Sequence, residues 1–284
     1  MKKIKILFVV ITLLGLTGCL KNDSMDDINI VTSTYPIEYV VSKLYGNHST
    51  ITSIYPKDDE INDFNVTNVL LEQYSDNDLF VFNGLSKEDD YVKKMIKENN
   101  ELKIIDVSSN MNIEYSIEEL WLDPNNLLTI ANNIRKGFKE YINSTYLTNE
   151  IDENYENLKI ELTSLDGKYY STVKNSSNTT IIVSDDAFSF LEKYGINVIS
   201  LDPDTAKDKN FNDAKEALRN NTCDYIFIKY KEDSKEINNF VKQTGAEKLD
   251  LYTMTNLKDI TVDNNDYITL MNQNLENLKL ELYK

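Results

Sequence analysis

Histidine, cysteine, proline and glycine are all scarce in this 284-residue chain, at one, two, four and eight residues. With His48 alone, a poly-His zinc site is excluded, and any Ser-His-Asp or Cys-His machinery would have to run through that one residue. His48 lies in Gly46-Asn47-His48-Ser49, a turn before a strand, and reads as a surface residue rather than a ligand. So few glycines and prolines leave no room for collagen-like or low-complexity character. There is no Gly-rich phosphate loop and no His near a candidate nucleophile, so the expectation is that the chain is not an enzyme. Basic residues are also short, 30 Lys+Arg against 47 Asp+Glu. The net charge of −17 argues against nucleic-acid binding, which needs Lys and Arg to replace phosphate counterions.

What is present begins at the N-terminus. Lys2, Lys3 and Lys5 precede the apolar run Ile6 to Leu16, broken only by Thr12 and Gly15. The run is shorter than the roughly 20 residues that span a bilayer but fits a secretory signal. It ends in Leu16-Thr17-Gly18-Cys19, the pattern of a bacterial lipoprotein processing site, so residues 1–18 read as a signal peptide and Cys19 as the lipidated residue. An ordinary signal peptide or an N-terminal anchor is the alternative. Cleavage removes three Lys and no acid, which takes the net charge from −17 to −20. An anionic membrane repels such a body, and only acyl chains would hold it on the outer face of the cytoplasmic membrane. Residues 19–27, with Asp23, Asp26 and Asp27, read as a polar tether. With Cys19 acylated, Cys223 has no disulfide partner. It opens the apolar run Tyr225 to Ile228 and reads as a buried strand-edge residue.

The mature chain alternates strand-like and helix-like stretches, which predicts an α/β fold with two β/α lobes, mainly parallel sheets and a long rigid helix between them. In residues 28–123, strands are expected at Ile28 to Thr32, Ile51 to Tyr55, Leu79 to Phe82 and Leu102 to Ile105. Ile37, Val40, Val41 and Leu44 at i, i+3, i+4, i+7 make one apolar helix face, with Pro36 in its first turn and Gly46 at its end. Residues 124–176 form a helical connection. Its second helix carries Ile151, Tyr155, Leu158, Leu162 and Leu165 on one face, and ends either at Asp166-Gly167 or near Lys174. Residues 177–284 form the second lobe, with strands at Thr180 to Val183, Asn197 to Leu201, Tyr225 to Ile228 and Lys248 to Tyr252. A closing helix carries Ile268, Met271, Leu275, Leu278 and Leu282.

Several segments resemble the solute-binding lipoproteins of zinc and manganese ABC importers. They are Ile30-Val31-Thr32-Ser33-Thr34-Tyr35-Pro36, then Asn83-Gly84-Leu85 followed by Glu88, Trp121-Leu122-Asp123-Pro124, Asp186-Ala187-Phe188 with Tyr194-Gly195, Thr244-Gly245-Ala246, and Tyr267 to Leu282. The resemblance covers nearly the whole mature chain. It implies a monomer with one metal ion held in the inter-lobe cleft for delivery to a membrane permease. In the family the ion is held by a His after Glu-Pro, a His two residues before the Trp, a His or Glu before the Ala-Phe pair, and a late Asp. The positions that match here are Asn62, Glu119 and Asp185, and for the last Asp250, Tyr252 or Met254, of which only Asp250 is an ordinary ligand.

Asn62, Glu119, Asp185 and Asp250 are all oxygen donors. Zinc binds best to nitrogen and sulfur, whereas oxygen suits harder ions such as Mn²⁺, Ca²⁺ or Mg²⁺. Three outcomes stay open: a retuned site for Mn²⁺ or Zn²⁺, the same scaffold without metal as an adhesin or accessory lipoprotein, or a different solute. Lys229 and Lys231 follow a strand, where they can pair with the acidic surface or touch the permease.

Overall fold

The computed structural model describes residues 25–59, 61, 64–260 and 266–284. Cys19 and Asn62 lie outside them. The apolar runs form the strands. Ile28–Thr32 (β1), Ser49–Ser53 (β2), Leu79–Phe82 (β3) and Lys103–Asp106 (β4) make a parallel sheet of order β2-β1-β3-β4. Thr180–Val183 (β5), Asn197–Ser200 (β6), Tyr225–Lys229 (β7) and Glu247–Leu251 (β8) repeat that order as β6-β5-β7-β8. Helices cover both faces of each sheet, which is why a central strand such as β3 is a continuous apolar run rather than an alternating one. Each sheet has one switch point, between β1 and β3 and between β5 and β7. In open α/β sheets, ligands bind beyond the carboxyl ends of the strands at such a point.

The helices follow the expected punctuation. Tyr35–Tyr45 (α1) begins with Pro36 and stops at Gly46, whose φ is +63°. Asn68–Ser75 (α2) and Glu88–Glu98 (α3) complete the outer side of the first lobe, and Glu119–Leu122 (α4) is a single turn. Pro124–Tyr141 (α5) is capped by Asp123, which accepts from the Asn125 N–H at 2.8 Å. Thr145–Lys174 (α6) takes the longer of the two expected ends. A Cβ on Gly167 would meet nothing within 4 Å, so this glycine sits on the open side and does not stop the helix. Asp208–Arg219 (α7), Lys235–Thr244 (α8) and Tyr267–Leu282 (α9) belong to the second lobe. The largest of three hydrophobic clusters among the described residues runs from Ile30 and Leu79 through Trp121, Ile134 and Leu158 to Ile181, Phe227 and Leu270, so both lobes share it, and a smaller cluster lies on the far side of each sheet. No helix among the described residues is long and apolar enough to cross a membrane.

The last residues of the stretch expected as a polar tether pack onto the body. Met25 is buried, and its carbonyl accepts the Tyr45 hydroxyl. Asp26 Oδ1 lies 2.7 Å from His48 Nδ1, while Glu150 Oε2 lies 3.1 Å from Nε2. His48 thus fastens the N-terminal end of the body to α6, and Asp26 raises its pKa. Cys223 is buried with its Sγ 3.4 Å from the Thr180 carbonyl, and burial pushes the thiol up to about 12. That matches an inert packing residue.

Candidate functional site

The switch point of the second sheet places the strongest charges. β5 ends at Val183, opposite Phe227 of β7, so Asp185 and Lys229 emerge side by side from neighbouring strand ends. The Lys229 ammonium lies 2.6 Å from Asp185 Oδ2, and Asp185 Oδ1 accepts the Ala187 N–H at 2.8 Å. That second bond caps the 3-10 helix Asp186–Tyr194. Beyond β7 the chain turns tightly through Lys231 at φ +61° and returns Glu232 over the strand end. Glu232 Oε2 accepts the Lys229 N–H at 3.1 Å and the Ser184 hydroxyl. Burial raises the Glu232 pKa, against the pull of these donors and of Lys229.

The first lobe contributes Glu118, at the start of α4. Burial raises its pKa, nearby Asp185 raises it further, and Lys229 opposes both. Three carboxylates, Glu118, Asp185 and Glu232, therefore act on one ammonium between the lobes. The net negative charge there favours a cation.

Asp185 is thus the expected residue that the structure puts at the cleft. Glu119 is turned elsewhere: its carboxylate accepts the Glu114 and Tyr115 N–H groups at 2.6 and 2.9 Å, which folds the 114–119 loop onto itself. That face borders a second inter-lobe hollow beside Glu192 and Lys193. Asp250 is exposed on β8, paired with Ile228. Strand side chains alternate, so Asp250 faces the side of α7 and α8, opposite to that of its neighbour Leu251 in the shared core. At the other two candidate positions, the Tyr252 ring stands 4.8 Å from that of Tyr230, and Met254 is fully buried at φ +65°. Among the described residues no group of three or more His, Cys, Asp or Glu is arranged to hold a metal ion.

Sequence reasoning missed the parts played by Glu118, Glu232 and Glu88. For Lys229 a signal existed, since a Lys closing the apolar run 225–228 stands where a parallel sheet presents its ligands. Glu88, behind the first-lobe switch point, accepts the Asn83 N–H at 2.7 Å, and burial raises its carboxyl to about 7. It helps line a cavity of about 330 Å³ with Thr34, Tyr55, Asn83 and Trp121.

Several bonds close the cleft. Trp121 Nε1 donates to the Thr253 carbonyl at 2.8 Å, and the Tyr267 hydroxyl donates to the Trp121 carbonyl at 2.6 Å. The Tyr115 hydroxyl reaches Glu192 at 2.9 Å, and the Leu257 N–H donates to the Lys57 carbonyl at 2.6 Å.

Comparison with known proteins places this geometry. The ZnuA family profile, described as zinc-uptake complex component A periplasmic, matches residues 30–280. The chain is 24% identical over 216 residues to the manganese-binding lipoprotein MntA of Halalkalibacterium halodurans, with 71% of each chain covered. The Zn(II)-bound ZnuA-like domain of Streptococcus pneumoniae AdcA superposes with a TM-score of 0.75 at 19% identity, covering 91% of this chain and all of that one. The metal-dependent lipoprotein YcdH of Bacillus subtilis superposes at 0.74 with 21% identity, over 91% of this chain and all of that one. The two-lobed parallel architecture is theirs. With nearly the whole described body matched, the chain belongs to the ZnuA family of zinc and manganese ABC-importer solute-binding proteins, which carry a solute and catalyse nothing.

Proposed function

We propose that this chain is a lipid-anchored, monomeric receptor on the outer face of the cytoplasmic membrane, which captures a divalent cation between its lobes and hands it to an ABC permease. Cys19 carries the anchor. One observation carries the reading: Asp185 sits at the switch point of the second sheet with Glu118 and Glu232 in electrostatic reach. Asp185 is the central ligand, with Glu118 facing it from the first lobe. Asn62 is a further donor from the 57–64 segment, whose Lys57 already meets the second lobe. Glu119 and Asp250 act from outside this group, Glu119 by fixing the loop that carries Glu118. Carboxylate and amide oxygens favour Mn²⁺ over Zn²⁺ relative to an imidazole site, at lower affinity.

The test is calorimetric titration of the mature chain, with Cys19 replaced for solubility, against MnCl₂ and ZnCl₂. Binding of Mn²⁺ is expected, weakened at least ~10-fold in Asp185→Ala, a change of about 1.4 kcal/mol or more. No heat with either ion at millimolar concentration would refute the reading. A second reading, the same scaffold kept as an accessory lipoprotein without metal, is favoured by the Lys229 ammonium already seated on Asp185.

A further inference from the structure

We infer that Lys229 is the resident cation of the inter-lobe cleft: its ammonium holds the place a captured ion would take, so an incoming ion must displace it. The inference deepens the cation-capture reading and rests on it for the identity of the incoming ion. A lysine ammonium is a compact point charge on a flexible stem, able to fill a carboxylate site and to leave it. Lys229 is fixed where only its side chain can move. Its backbone is the last residue of β7, its N–H is bonded to Glu232, and its carbonyl accepts the Glu232 N–H at 2.9 Å. From that anchor the ammonium meets Asp185 at 2.6 Å, within the electrostatic reach of Glu118 and Glu232.

These three carboxylates come from two lobes and three separate chain segments, Glu118 just before α4, Asp185 beyond β5 and Glu232 beyond β7. Without a positive charge they would repel one another across the closed cleft. Lys229 supplies that charge from within the chain. Nearby Lys231 is engaged elsewhere, with Asp259, and does not compete for the site. The consequence is a specificity filter. A monovalent ion gains nothing over the ammonium it would replace, whereas a divalent ion brings a second charge to Asp185 within the field of Glu118 and Glu232. The ammonium therefore sets the threshold for occupancy, and the cleft keeps its closed form when empty of metal.

The experiment compares the wild-type chain with Lys229→Met, Lys229→Gln and Lys229→Arg, using Mn²⁺ alone as the probe in calorimetry and in thermal melts with and without EDTA. The Met and Gln variants are expected to melt lower than wild type in EDTA, to recover on adding Mn²⁺, and to bind Mn²⁺ at least tenfold more tightly. The Arg variant, which keeps a charge, should remain close to wild type. Wild-type binding with no tightening in the Met and Gln variants overturns the inference and leaves the capture reading standing. Binding by those variants but not by wild type supports the inference and removes the capture reading. No binding by any chain overturns both. If the Met variant fails to fold, the Gln variant decides.

Discussion

Glu88 is the residue whose burial has the clearest measurable consequence. Its carboxyl is held at about 7, against 4.5 in an open chain, because burial outweighs the Asn83 N–H and the nearby hydroxyls that favour its charge. Between those two values the folded chain keeps a proton that the unfolded chain has lost. Stability is therefore full below about 4.5 and declines as the pH rises through about 7, by at most about 3 kcal/mol. His48, whose pKa Asp26 raises, adds a slope of the same sign, so Glu88 has to be isolated by difference. Glu88→Gln keeps an acceptor for Asn83 and carries no charge. At pH 8 it should be more stable than wild type by about 1–3 kcal/mol in urea unfolding, and at pH 4.5 the gap should close. A constant gap across that range would refute the burial argument. The same scale shows where reading the sequence reaches its limit. Counting two residues back from Trp121 lands on Glu119, whose carboxylate is taken up by the Glu114 and Tyr115 N–H groups; consecutive helical residues point about 100° apart, and it is the Glu118 carboxyl that the Asp185 charge reaches. Counting residues finds the turn but not the face of the turn. Asp185 escaped this ambiguity because it follows directly from a strand end at a switch point.

At the scale of elements, most boundaries were legible. The apolar runs became β3, β5 and β7, the Pro36 and Gly46 punctuation bounded α1, and Asp123-Pro124 opened α5. Tertiary contacts decided the rest. Asp186–Tyr194 folds as a nine-residue 3-10 helix that no local pattern announced, since such runs seldom exceed four residues. It is held by its Asp185 cap and by Tyr194, whose hydroxyl donates to Asp166 of α6 at 2.8 Å. The single turn α4 is fixed by Trp121, whose buried indole donates to Thr253 while its carbonyl accepts from Tyr267 of α9. Trp121→Phe keeps much of the packing but leaves the buried Thr253 carbonyl without its donor. It should cost about 2–3 kcal/mol, read as a lower urea midpoint with an unchanged slope. A loss below about 0.5 kcal/mol would mean that the strap contributes no more than an ordinary surface residue.

For the whole molecule, the shared core limits how the lobes can move. The thirty residues of α6 extend about 45 Å at 1.5 Å per residue, long enough to run past both lobes. Ile151, Tyr155 and Leu158 in its first half, and Leu165, Tyr169 and Val173 in its second, all belong to one hydrophobic cluster. Hinge closure in binding proteins works through a few loop residues that absorb a change of backbone angle. Here such a swing would have to expose Trp121, Leu158 and Tyr267, which are almost entirely buried. Taking three large side chains out of such a core costs about 1.5–3 kcal/mol each. That is as much as the whole of what an ion held at millimolar to micromolar strength supplies, about 4–8 kcal/mol, so little would be left to bind it. Cation capture is therefore expected to rearrange Lys229 and the adjoining loops while the lobes stay together. Small-angle scattering of the mature chain, with Mn²⁺ and with EDTA, should give radii of gyration within about 1 Å of each other, against the ~18 Å expected for a body of this size. A contraction of several ångströms would show that α6 bends or that the core opens, and Lys229 would then be one part of a larger motion rather than the moving part itself.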